Sequence, residues 1–221
     1  IMSKYFFFLF FISFGVFAQN STLDVIINSK KNSHLFFTVS DLEFHKVENK
    51  GELFTEIHVD GFSKSYDIGN PDLPVFSKLI EVPSIGDIYI SVINKSETVI
   101  DLTDIGYSDK LIPSQYSISK SEDPMNIGFS FNQKVYMADE YYANELISIE
   151  RLGKMRDRTL ARIKISPFSY HPLIHSLKVI DALEFKVEYS SNIQSQNSAH
   201  YSPVFSTNFS KVINADIHAK N

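Results

Sequence analysis

Along most of this chain apolar and polar residues alternate one for one, and a period of two fits a half-buried β-strand and little else. Phe185, Val187 and Tyr189 alternate with Glu184, Lys186 and Glu188. Ala161, Ile163 and Ile165 alternate with Arg162 and Lys164. Ile88, Ile90 and Val92 alternate with Asp87, Tyr89 and Ser91, and Leu53, Thr55, Ile57 and Val59 alternate with Phe54, Glu56, His58 and Asp60. Further strands are expected over residues 35–44, 76–82, 98–102 and 146–152. Eight or more short strands separated by turn residues predict an all-β fold, either an antiparallel β-sandwich or a distorted barrel with long loops.

The breakers fall where such a fold needs corners. Pro71 and Pro74 bracket Asp72 and Leu73 in an extended link that cannot be helical. Pro83-Ser84-Ile85-Gly86 reads as a turn, and Pro167 and Pro172 stiffen the connection around Tyr170. Residues 113–144 differ from the rest. They are rich in Ser, Asp, Glu and Asn and alternate weakly, so they read as extended loops around a short strand at residues 127–131. Loops of that length inside a compact domain usually carry function.

Both ends have their own character. Lys4 precedes an apolar, Phe-dense run from Tyr5 to Phe17, and Val16 and Ala18 supply small residues just before Gln19. Residues 1–18 therefore read as a secretory signal peptide, too short for a comfortable membrane span. This predicts export through the inner membrane to the periplasm, the cell surface or the extracellular space, with no stable membrane insertion once the signal is removed. Residues 19–190 form the expected β domain. Residues 191–221 read as a polar linker and a short C-terminal helix, with Phe205, Phe209, Val212 and Ile213 on one stripe and Ser206 or Thr207 as cap. That stripe needs a surface to sit on, and the chain reaches Asn221 without a closing strand, so a further domain is expected to follow.

Composition removes several functions. There is no cysteine, so disulfides, thiol chemistry and thiolate zinc sites are excluded and the core alone must hold the fold. The net charge of −5 comes without a basic block, which argues against nucleic acid as a partner. His171 and His175 share a ligand-like spacing, yet Pro172 stands between them and no carboxylate or thiol completes a site. No nucleophile elbow distinguishes one serine, glycines do not cluster into a phosphate cradle, and Asp101 with Asp104 reads as a solvated turn. No catalytic, metal or cofactor site is read from the residues. Taken alone, Lys120 is an ordinary loop lysine among Ser119, Ser121, Glu122 and Asp123.

Two elements about a hundred residues apart carry a resemblance. One is Gly69-Asn70-Pro71-Asp72-Leu73-Pro74 leading into a strand. The other is Pro167-Phe168-Ser169-Tyr170-His171-Pro172 followed by Leu177-Lys178-Val179, with Met155-Arg156-Asp157-Arg158 upstream. In this order, behind a signal peptide, they resemble the propeptides of gingipain-type cysteine peptidases over roughly residues 35–215. Gly69, Pro71, Leu73, Pro74, Pro167, Tyr170 and Pro172 are the structural positions of that match. His171 replaces the family's usual Asn, and Asp157 stands where Gly often follows Arg.

The resemblance implies a β-sandwich prodomain that keeps its peptidase latent and assists its folding. It implies a cognate cysteine peptidase catalytic domain as partner. It also implies a loop that places a basic side chain in the enzyme's primary specificity pocket, with Lys120 as that residue and Ser119 and Ser121 beside it. Two other readings share the fold. One is a free-standing secreted adhesin or glycan-binding module using Tyr136, Tyr141 and Tyr142. The other is an accessory domain of a secretion-system peptidase.

Overall fold

The structure is a computed structural model in which residues 21–117, 128–156, 158–193 and 211–215 are described. The expected signal peptide at residues 1–18, the trio Ser119, Lys120 and Ser121, and Phe205 and Phe209 of the expected helix lie outside the described residues.

The alternating segments form antiparallel sheets. The larger sheet runs in the order β1 (Thr22–Asn28), β2 (Asn32–Thr38), β12 (Ser176–Tyr189), β11 (Phe168–His171), β8 (Tyr142–Ala143), with β7 (Ile88–Asp101) along the other side of β12. A four-stranded sheet runs β5 (Phe62–Ser63), β6 (Val75–Val82), β10 (Arg158–Ile165), β9 (Ile147–Met155). β3 (Glu43–Asn49) and β4 (Glu52–His58) form a separate ribbon, and α1 (Gln133–Tyr136) is a single helical turn. The ribbon closes through Lys50 and Gly51, both at positive φ (52° and 84°), the backbone that a tight two-residue hairpin requires.

Alternation places the core. Leu35 and Phe37 of β2, Phe76, Ile80 and Val82 of β6, Ala161, Ile163 and Ile165 of β10, and Leu183, Phe185, Val187 and Tyr189 of β12 bury together between the two main sheets. β12 is long enough to serve a second cluster as well. There Leu177 and Val179 meet Ile57, Val59, Leu73, Leu102, Leu111, Phe168 and Tyr170.

Several expectations are corrected in detail. The segment 35–44 is two strands rather than one, because Asp41 adopts φ 53° and turns the chain from β2 into β3. In β4 Phe54 is buried and Leu53 is exposed, against the alternation, because Phe54 turns toward the ring of Phe129 at 5.6 Å. Residues 128–131 form no strand, and Phe129 and Phe131 lie with their rings near parallel instead. Of the expected C-terminal helix, only the end at Val212 and Ile213 falls among the described residues. Val212 forms an isolated parallel bridge with Leu79, since the open edge of β6 offers backbone partners that a short helix would forgo.

Candidate functional site: the anchored base of the long loop

The chain enters the long loop through residues 111–117 and is described again from residue 128. The Gly69–Pro74 element lies between the inbound and outbound limbs and binds both. The Gly69 N–H donates to the Ser114 carbonyl (2.8 Å), and the Asn132 N–H donates to the Gly69 carbonyl (2.8 Å). Ser114 N–H donates to the Asn70 carbonyl (2.8 Å), and Asp72 N–H donates to the Ile112 carbonyl (2.9 Å). Pro71 pairs antiparallel with Pro113, where neither residue has an N–H to leave unsatisfied. Gly69 sits at φ 85°, a conformation that L side chains rarely adopt.

Side chains complete the anchorage. Asn132 Nδ2 donates to Asn70 Oδ1 (2.7 Å), and Asn70 Nδ2 donates to Asp67 Oδ2 (2.8 Å). Gln115 spans the two limbs directly: its Nε2 donates to the Ser130 carbonyl (2.8 Å), and its Oε1 accepts the Ser130 N–H (2.9 Å). Asp72, almost fully buried, accepts from the backbone N–H (2.9 Å) and hydroxyl (3.2 Å) of Ser65, with Lys64 Nζ at 3.7 Å.

The inbound limb is also held from below. Thr55 N–H donates to the Lys110 carbonyl, Ile112 N–H donates to the Thr55 carbonyl (both 2.8 Å), and the Thr55 hydroxyl donates to the Asp109 carbonyl (3.2 Å). Tyr136 of α1 is 1% exposed, stacks on Phe131 at 4.3 Å and donates its hydroxyl to the Leu111 carbonyl at 2.7 Å. Burial pushes that phenol well above the usual tyrosine range.

The two motifs meet in space. Leu73 of the first packs in one cluster with Phe168 and Tyr170 of the second. Tyr170 is fully buried, its hydroxyl lies 3.4 Å from His175 Nδ1, and burial raises its phenol to about 12. β8 pairs with β11, and its Tyr142 hydroxyl donates to Asp67 Oδ2, just ahead of Gly69. Pro167 lends its carbonyl to Ile180 N–H (2.9 Å), and Pro172 is buried where β11 ends. His171 is 7% exposed, edge-on to Tyr141 (5.0 Å), with Nε2 3.5 Å from Asp139 Oδ1. Among the described residues no group of three or more His, Cys, Asp or Glu could hold a metal ion.

Gln115, Ser130, Asn132 and Thr55 were not legible as site residues, and Tyr136 was legible only as a candidate surface aromatic. Each acts through a bond to distant backbone, and nothing local in sequence marks such a bond. Tyr136 faces inward, and Tyr141 and Tyr142 are half-buried, so these three do not form the exposed aromatic platform that a sugar-stacking surface needs.

Known proteins resemble this chain in sequence and overall fold. The family model Propeptide_C25 matches residues 19–216. Lys-gingipain HG66 of Porphyromonas gingivalis is 31% identical over 217 residues, covering 92% of this chain and 12% of that protein. A Lys-gingipain from a further strain of the organism is 32% identical over 195 residues, 86% of this chain and 11% of that protein. This chain thus spans about an eighth of the length of its curated relatives. A solved structure of gingipain K from P. gingivalis, concerned with zymogenic latency, superposes with a TM-score of 0.72 at 32% identity, covering 79% of this chain and 95% of that one. A structure of the complex of P. gingivalis RgpB pro- and mature domains shares the fold, with a TM-score of 0.72 at 18% identity over 90% of this chain and 100% of that one. The chain belongs to the propeptide family of the gingipain-type cysteine peptidases, and with no cysteine in its sequence it is the propeptide and not the catalytic part.

Proposed function

We propose that this chain is the prodomain that holds a gingipain-like cysteine peptidase latent, assists its folding, and inhibits it by presenting Lys120, flanked by Ser119 and Ser121, to the enzyme's primary specificity pocket in a substrate-like way. The observation that carries this reading is the anchored loop base. Gln115 and Ser130, joined by the Gln115 carboxamide bonding both the N–H and the carbonyl of Ser130, lie on either side of Lys120 in sequence. A loop whose ends are fixed by a folded sandwich loses less freedom on docking than one on a mobile stem. A lysine ammonium meeting a carboxylate away from water forms a charge-assisted hydrogen bond. Relatives named for lysine, and a solved relative described for zymogenic latency, fit a pocket that takes this residue.

While joined to the peptidase, the prodomain acts at high effective concentration, and cleavage between them removes that advantage. Because it would bind the folded enzyme and not the unfolded one, it also favours folding by mass action. The apolar run at residues 5–17 supports export in the precursor, to the periplasm, the cell surface or the medium.

The test is inhibition of the cognate catalytic domain by the added chain. Wild type inhibits, and Lys120→Ala inhibits at least about 30-fold less well, the loss expected when a desolvated charge pair loses one partner. Lys120→Ala inhibiting as well as wild type removes that residue from the mechanism. Absence of inhibition by wild type removes the prodomain reading.

A further inference from the structure

β6 is an inner strand over only part of its length. β10 pairs with it along one side from Phe76 to Val82, but on the other side β5 reaches only Val75 and Phe76. Beyond that point residues 211–215 take the place of a neighbouring strand. Val212 forms a parallel bridge with Leu79, and Ile213 N–H donates to the Leu79 carbonyl (3.0 Å). The next two bonds come from a side chain. Glu81 N–H donates to Asn214 Oδ1 (2.7 Å), and Asn214 Nδ2 donates to the Glu81 carbonyl (2.9 Å). One carboxamide thus presents to Glu81 the donor and the acceptor that a paired strand would present. Asn214 is 0% exposed and Glu81 2%.

The same five residues reach both main sheets. Asn28, at the end of β1, donates Nδ2 to the Asn214 carbonyl (3.2 Å). Val212 packs against Leu160 and Leu79 on the four-stranded sheet. The segment therefore covers an edge that would otherwise be open, and ties the first strand of the fold to β6.

We propose that residues 211–215 are a clip that keeps the prodomain in its folded, inhibitory form only while they remain in one chain with it. The side of Lys211 on which the chain is cut then decides whether a released prodomain persists. This rests on the prodomain reading above. Hydrolysis before Lys211, with water giving its hydroxyl to the new carboxylate and its hydrogen to the new amine, turns an intramolecular clip into a separate peptide. Its effective concentration is then lost on dilution. Hydrolysis after Ala215 leaves the clip in place. The Asn214 carboxamide supplies both halves of the bond pair, whereas an ionised Asp could not donate to the Glu81 carbonyl and Ala could do neither.

The experiment uses the full chain carrying an engineered site for a sequence-specific protease, placed in one version between Ile193 and Lys211 and in another after Ala215. Each is folded first and then cut. Cutting before Lys211 and removing the fragment by gel filtration is expected to lower the melting midpoint by about 3–10 °C. It is also expected to speed hydrogen exchange at the Glu81 amide and to abolish inhibition of the catalytic domain near the lowered midpoint. A peptide of residues 208–221 added in excess restores all three. The cut after Ala215 changes none of them. Asn214→Ala in the uncut chain reproduces the faster exchange at Glu81. Unchanged midpoint and exchange after the first cut, or retention of the fragment through gel filtration, overturns the clip. A lowered midpoint with inhibition intact at that temperature overturns its link to latency. An uncut chain that never inhibits overturns the prodomain reading, and the exchange and midpoint data still decide the clip.

Discussion

The Gln115 side chain holds Ser130, fifteen positions away, by both of its backbone groups. A glutamine amide has one acceptor and two donors, and here it stands in for a strand neighbour on the outbound limb of the loop. The second Nε2 hydrogen is shared between the carbonyls of Pro113 (3.1 Å) and Ser114 (3.2 Å), so the same residue also stiffens the inbound limb.

Gln115→Ala should therefore separate affinity from stability. Losing this bond pair loosens the stem and raises the ordering cost of docking. About tenfold weaker inhibition of the catalytic domain is expected, equivalent to about 1.4 kcal/mol. The melting midpoint should fall by no more than about 4 °C, because the residue lies outside the apolar clusters. Inhibition assays paired with calorimetry check both. Equal inhibition by the variant would show that the stem needs no such clamp.

Gly69→Ala tests the first motif at its most constrained point. An alanine Cβ would lie 3.4 Å from Asn132 N, an ordinary contact, but the φ of +85° is unfavourable for any L side chain. A loss of about 1–2 kcal/mol is expected, seen as a fall of about 2–8 °C in midpoint. Thermal unfolding measures it directly.

Leu73→Ala probes the junction of the two motifs. Leu73 is 1% exposed and packs in the cluster that contains Phe168 and Tyr170. Truncation leaves a cavity there, and about 2–5 kcal/mol of stability should be lost. Denaturant unfolding gives the value. A loss below about 1 kcal/mol would mean that the cluster collapses onto the gap.

Alkaline pH should unfold the chain through its buried tyrosines. Burial raises the phenols of Tyr170 and Tyr189 to about 12, against roughly 10 for an exposed tyrosine. Between those values the unfolded chain releases protons that the folded chain still holds. Stability is then fully present below about pH 10 and falls as pH rises toward 12. The fall is roughly 2–3 kcal/mol per tyrosine across that window. Tyr136 is shifted in the same direction by burial and adds to the loss. Tyrosinate absorbance should rise for the exposed phenols first and then cooperatively with loss of β-sheet signal. A smooth, non-cooperative titration of all eleven tyrosines would contradict this.

Period-two patterning made the central strands legible because each buries one face between two sheets. The inward positions of β10 and β12 follow that pattern closely, with Ala161, Ile163, Ile165, Phe185 and Val187 all at 0% exposure. The pattern was least informative where a strand is not covered on both sides. Most of β7 is exposed although it is one continuous strand of fourteen residues, so its central Asn94-Lys95-Ser96-Glu97 gave no alternation to read. Phe54 broke the alternation in the β3–β4 ribbon because its partner, Phe129, comes from the far side of the loop. Proline and glycine marked the corners correctly at Gly69, Pro71 and Pro167, since their backbone limits are local properties.

Residue order alone determined that this is an all-β chain without thiol chemistry, with two proline-bounded elements in gingipain-propeptide order, because strand periodicity and backbone restriction are written into neighbouring residues. Tertiary structure decided what those elements hold. Leu73 meets Tyr170, Gly69 and Gln115 bind the limbs of the loop, and Asn214 completes the edge of β6 from 133 positions away. Such bonds join backbone groups to partners far along the chain, and their geometry exists only once the sheets have packed and brought the two together.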